Sequence, residues 1–136
     1  MKRVQLVVNG NLMRGLDPNE SLLKAGAAFV REDHTAPSYR LWSINDDHPA
    51  MQRVVKGGTS VALEVWDVPI DGVGVILIQE PLGLAIGKVQ LSSGETLLGV
   101  LGEAVLCEGQ KEITAFGGWR NYLTNKGDIA KSESHK

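Results

Sequence analysis

At 136 residues the chain is long enough for one domain with a proper core, and 43% hydrophobic with 22% charged residues is ordinary globular composition. Fourteen Lys and Arg against sixteen Asp and Glu leave a formal charge of -2 with no basic stripe, so the electrostatic footprint of a nucleic-acid binder is missing. Apolar runs such as GVGVILI are too short to span a bilayer, and the single cysteine, Cys107, cannot close an internal disulfide. No membrane partner, a reducing cytoplasm and a structural thiol are therefore expected.

In chain order, residues 3–8 alternate loosely and read as a strand that stops at Asn9-Gly10-Asn11-Leu12. The basic start precedes too brief an apolar segment for a signal peptide. DPNESLLKAGAAF reads as a short helix, with Asn19 as its N-cap, Leu22 and Leu23 on its apolar face and Gly26 ending it. Ala28, Phe29 and Val30 then start a strand. PSYRLWSI reads as another, with Tyr39, Leu41 and Ser43 on one face and Arg40, Trp42 and Ile44 on the other. INDDHPAMQ clusters Asn, Asp and Pro and reads as a loop. GGTSVALEVWDVP is the strongest strand pattern, β-branched and bounded by Gly57-Gly58 and Pro69. DGVGVILIQE fits a strand or a short helix on local grounds. AIGKVQLSSGETLLGVLGE reads as a hairpin turning at Ser92-Ser93-Gly94, with Val89 and Leu91 facing Leu97 and Leu98. EITAFGGWRNYLTNK reads as a closing helix with Trp119, Tyr122 and Leu123 on one side and Arg120 turned toward an acid on the body. These elements predict one domain over residues 1–125 and a flexible C-terminal tail over residues 126–136. The fold class expected is α+β, a small mixed β-barrel with peripheral short helices.

The three histidines, His34, His48 and His135, show no HxH, HxxxH or HExxH spacing, so no metal site is expected. There is no GxGxxG or P-loop and no GxSxG elbow, so no cofactor is expected either. Carboxylates and glycine-rich turns remain. Glu80 follows the apolar run Val75-Ile76-Leu77-Ile78. Partial desolvation there would raise its pKa toward that of a useful general base; the plainer reading is a solvated acid at the end of an element. Glu64 reads as a strand acid facing solvent or paired with Arg40 or Arg53. Two readings also stand for Asn9, Gly10, Asn11 and Leu12. They form a simple turn of residues that accept positive φ cheaply, or they present backbone N–H groups to an anion or developing oxyanion.

Taken together, NLMRG, TAPSYRLW, GGTSVALEVWDVP, EPLGLAIGKVQL and ITAFGGWRNYL occur in the order seen in C-terminal domains of allophanate hydrolases. The chain resembles that family over residues 4–123, and through it the γ-glutamylcyclotransferase-like fold group. The resemblance implies a small mixed barrel and a short helix over residues 71–79. It also implies that the loop Asn9-Gly10-Asn11-Leu12 holds a substrate, with Glu80 near the position of the cyclotransferases' general acid/base. Two departures stand out. Allophanate hydrolase domains usually carry a histidine in the first loop, where this chain has Asn11, and a small residue where it has Glu80. That histidine is linked to processing the carboxylated product of the amidase domain, and these residues carry no Ser-cisSer-Lys amidase signature.

Two functions follow as expectations. The first is a small-molecule enzyme for a compact carboxylate-bearing amide or urea-derived compound, with Glu80 as acid/base, Asn9, Gly10, Asn11 and Leu12 as substrate holders, and Tyr39 or Arg40 orienting the carboxylate. The second is a non-catalytic accessory subunit that docks on a separate amidase in nitrogen metabolism, through an exposed apolar patch involving Trp42 or Trp119.

Overall fold

The computed structural model describes residues 2–126. The strand expected first is β1, Arg3–Val8, and it ends where Asn9 and Gly10 break its β-branched run. There follow α1 (Asn19–Lys24), β2 (Ala28–His34), β3 (Tyr39–Ile44), β4 (His48–Arg53), β5 (Ala62–Pro69), α2 (Ile70–Gln79), β6 (Leu84–Gln90), β7 (Thr96–Gly102), α3 (Ala104–Cys107), β8 (Lys111–Glu112), a 3₁₀ turn (Thr114–Phe116) and α4 (Trp119–Lys126). The expected tail lies outside the described residues apart from Lys126, which closes α4.

The strands form two sheets: five strands in the order β2-β5-β1-β7-β6 and three in the order β4-β3-β8. β1 lies at the centre of the larger sheet, antiparallel to β5 and parallel to β7. Its register sets Val8 beside Glu64. The hairpin of β6 and β7 pairs Val89 with Leu97 and turns at the expected Ser-Ser-Gly. The expected barrel is not drawn by the strand ladders. Among the described residues the edge strands β2 and β6 meet only beyond their ends, at a Thr35–Leu91 bridge flanked by Ala36 N–H to Gln90 O and Ser92 N–H to His34 O. The architecture is a mixed α+β domain with one strongly curled sheet and a smaller second one.

The core fills the space between these sheets and α4. Leu6, Val7, Leu41, Met51, Val65, Trp66, Leu91, Trp119 and Tyr122 are all buried, each large side chain worth about 1.5–3 kcal/mol on transfer from water.

Three local expectations are corrected and one ambiguity is resolved. INDDHPAMQ is a turn followed at once by a strand. Asn45 and Asp46 both adopt left-handed φ, of 53° and 58°, as a tight hairpin turn demands. β4 starts two residues later, and its Pro49 is tolerated because β4 is an edge strand, where a missing N–H breaks no inner ladder. Asn19 is the first residue of α1 rather than its cap, and its side chain donates to Leu12 O at 2.6 Å. On that helix Leu22 is fully buried while Leu23 stays 55% exposed, because a single turn and a half turns only one leucine inward. The ambiguous stretch DGVGVILIQE forms the helix α2 up to Gln79, as the family resemblance implied for residues 71–79, with Ile70 added at its start.

Candidate functional site

The loop after β1 is fixed from four directions. Asn9 is buried and donates from Nδ2 to Val100 O on β7, at 2.9 Å. Gly10 lies so close to Pro49 that a Cβ there would sit 2.7 Å from the proline Cδ, so only glycine fits. Asn11 donates from Nδ2 to Asp47 O at 2.8 Å and accepts from Trp119 Nε1–H on α4 at 2.8 Å. Arg14 is held through its backbone N–H and its Nε by the Glu64 carboxylate, at 3.0 and 3.1 Å. A Met13 N–H to Gly10 O bond closes the turn inside these anchors. What the anchors leave over is distinctive. The peptide N–H groups of Gly10, Asn11 and Leu12 donate to no protein acceptor among the described residues.

Those three residues line a cavity of about 270 Å³, together with Asn9, Asp47, His48, Gln79 and Glu80. Glu80 caps α2 in an extended conformation, and its side chain accepts no hydrogen bond among the described residues. Burial pushes its carboxyl up from the ordinary value, while the nearby charge of His48 pulls weakly the other way. The cavity wall carries no Lys or Arg. His48 is the cavity residue that reading the sequence passed over. Its spacing fits neither a metal site nor a nucleophile elbow, and nothing in NDDHPA marks it as the first residue of a strand whose start faces the loop. No cluster of three or more His, Cys, Asp or Glu side chains able to hold a metal occurs among the described residues.

The structure therefore brings Asn9, Gly10, Asn11, Leu12 and Glu80 into one cavity and places Tyr39 and Arg40 elsewhere. Tyr39 is fully buried, its Oη accepting from Gln90 N–H at 3.0 Å. Arg40 forms a bidentate pair with Glu112, which brings the Glu112 carboxyl down to about 2. Glu64 is neither solvent-facing nor paired with Arg40 or Arg53. It is 2% exposed and accepts from Arg14, Arg120 and the Trp66 indole N–H. Arg120 thus meets an acid on the body, as expected. Trp119 is 1% exposed and belongs to the core, so it is no part of a surface patch, and Trp42 is half-buried. Cys107 is buried, which raises its thiol pKa. No helix among the described residues is long and apolar enough to cross a membrane.

Known proteins place these features in a family. The model of the allophanate hydrolase C-terminal domain matches residues 4–124. The urea amidolyase of Saccharomyces cerevisiae is 29% identical over 98% of this chain, which spans 8% of that protein. A solved uropathogenic E. coli-specific protein, c4763, is 53% identical with a TM-score of 0.90, covering 95% of this chain and 99% of its own. Kluyveromyces lactis allophanate hydrolase superposes with a TM-score of 0.87 at 31% identity, covering 93% of this chain and 22% of that one. More distant structural neighbours, below 25% identity, share the γ-glutamylcyclotransferase-like fold alone. The chain belongs to the allophanate hydrolase C-terminal domain family.

Proposed function

We propose that the cavity binds a compact amide or urea-derived compound bearing at most a small carboxylate. The free N–H groups of Gly10, Asn11 and Leu12 would hold the oxygen on which negative charge develops, and Glu80 would move the proton. The observation that carries this reading is the coexistence of three unpaired peptide N–H groups and an unpaired, half-buried carboxyl in one small cavity. Anchoring by Asn9, Asn11 and Arg14 supports it, since donors fixed in advance need no reorganisation as charge develops. Without Lys or Arg in the wall, a ligand carboxylate would meet mainly neutral donors, peptide N–H groups and side chains such as Gln79 and Ser21, which favours weakly charged ligands. The test is an amide-resolved NMR titration with N-carbamoylglycine and with a γ-glutamyl amide, alongside an assay for 5-oxoproline release. Shifts at residues 10–12, and turnover lost in Glu80→Gln, are expected. Unmoved amides with both probes, or full turnover in that variant, would overturn the reading.

A second reading has its own observation. Val75, Ile78 and Leu82, which flank the cavity residues Gln79, Glu80 and Pro81 in sequence, are 51%, 84% and 95% exposed. In the amidolyase and hydrolase relatives this domain is one part of a much larger chain. We infer that this apolar strip would seat an amidase chain in an accessory role. Capture of an amidase from the host, abolished by Ile78→Asp with Leu82→Asp, is the expected result; a monomer that captures none speaks against it.

A further inference from the structure

His48 sits at the start of β4 and is 8% exposed. Its Nδ1 lies 3.1 Å from Pro49 O. A carbonyl can only accept, so Nδ1 carries the proton and donates. In the neutral ring that fixes the tautomer, and Nε2 holds the lone pair. Nε2 has no hydrogen-bond partner among the described residues. No buried side-chain nitrogen or oxygen among them lacks one. Nε2 is therefore not fully buried, and His48 is one of the residues that line the cavity.

We propose that His48, tautomer-locked by the Pro49 carbonyl, is a second proton-handling group of this cavity, working at Nε2 alongside the Glu80 carboxyl. The proposal rests on the binding reading above and deepens it by dividing the proton work between two groups. An attacking N–H or O–H gives its proton to Nε2 as the new bond to the carbonyl carbon forms. The carbonyl π pair moves onto the oxygen facing the loop amides. The oxygen's pair then returns to re-form the carbonyl as the old C–N bond breaks, and Glu80 in its protonated form gives its proton to the departing nitrogen. The imidazolium then releases its proton to water and the Glu80 carboxylate takes one up from water, restoring both groups. This answers the deficit left by Asn11, whose amide cannot move a proton and whose two ends are already engaged.

The surroundings keep the pair isolated. Besides Glu80 at the end of α2, the titratable group of the cavity is Asp47 in the turn before β4. Pro18 and Ser21 from α1 and its approach, Leu84 from β6, Val100 from β7 and Asn9 from the loop add no charge. Pro49, which holds the imidazole, is itself pressed against Gly10, so the ring and the loop amides share one rigid support.

The experiment needs no ligand, so its failure is distinct from failure of the binding reading. Long-range proton–nitrogen NMR on the labelled full chain, with His48→Gln used to assign the ring, should show neutral His48 protonated at Nδ1. In the same variant the side-chain carboxyl carbon of Glu80 should titrate at higher pH than in the wild type, because a neighbouring positive charge has been removed. A neutral ring protonated at Nε2, or a Glu80 titration that His48→Gln leaves in place, would overturn the proposal. The tautomer is read on the unmodified protein, so a variant that folds poorly still leaves a decisive measurement.

Discussion

Glu64 and Glu80 are both carboxylates withdrawn from solvent, and the protein treats them in opposite ways. Around Glu64 the fold supplies a donor for every direction: the Arg14 backbone and guanidinium, Arg120, and the Trp66 indole. That carboxylate is satisfied, and its task is to clasp the far end of the loop after β1. Around Glu80 the fold supplies desolvation and no donor, which raises its proton affinity. Burial alone thus does not separate a fully partnered acid from an unpartnered one. The partners do.

The comparison can be broken by substitution, in descending order of effect. Glu64→Gln removes the counter-charge of two arginines and turns an amide donor toward donors, so a loss of about 3 kcal/mol in urea unfolding is expected. Gly10→Ala drives a methyl into Pro49 and should cost about 2 kcal/mol while displacing the loop, read as amide shifts at residues 10–12. Asn11→Ala unties α4 from the hairpin turn and should cost about 1 kcal/mol in the same assay. Glu80→Gln should act with the opposite sign to Glu64→Gln. The folded pKa of Glu80 lies above its unfolded value, so its favourable contribution is present at low pH and lost as pH rises through the folded value. At neutral pH glutamine lifts that cost, and the unfolding midpoint should rise slightly.

Acid sharpens the contrast further. Asp46 accepts from Ser43 and Tyr122 and is lowered from 3.8 to about 2. Its contribution is present above the unfolded value and lost as pH falls toward about 2. Asp46→Asn should flatten that acid limb of the stability curve and leave the Glu80 effect in place.

Local pattern was enough for β1, β5 and the β6–β7 hairpin, because alternation, β-branching and a Ser-Ser-Gly turn are written over neighbouring residues. It was enough to mark Glu80 as partly desolvated, since its apolar flank is adjacent in sequence. It failed where a partner is remote. Glu64 reads as an ordinary strand acid until Arg14 and Arg120, 50 and 56 residues away, arrive from either side. β5 is also covered on both faces, so its alternation says nothing of which way a charge turns. His48 was lost for a different reason: Asn, Asp and Pro mark the turn before it and hide the strand it begins. Tyr39 and Arg40 read as ligand contacts because both side chains can bind carboxylates, but the fold engages them with Gln90 and Glu112.

The bond from the Trp119 indole to Asn11 joins residues 108 positions apart. Seen from the ribosome, the loop after β1 is among the first parts of the domain made, and the indole that sets it is among the last. A nascent chain carries the loop's free N–H groups long before it can aim them. Asn11 therefore gains its indole donor only when α4, the last helix among the described residues, has docked.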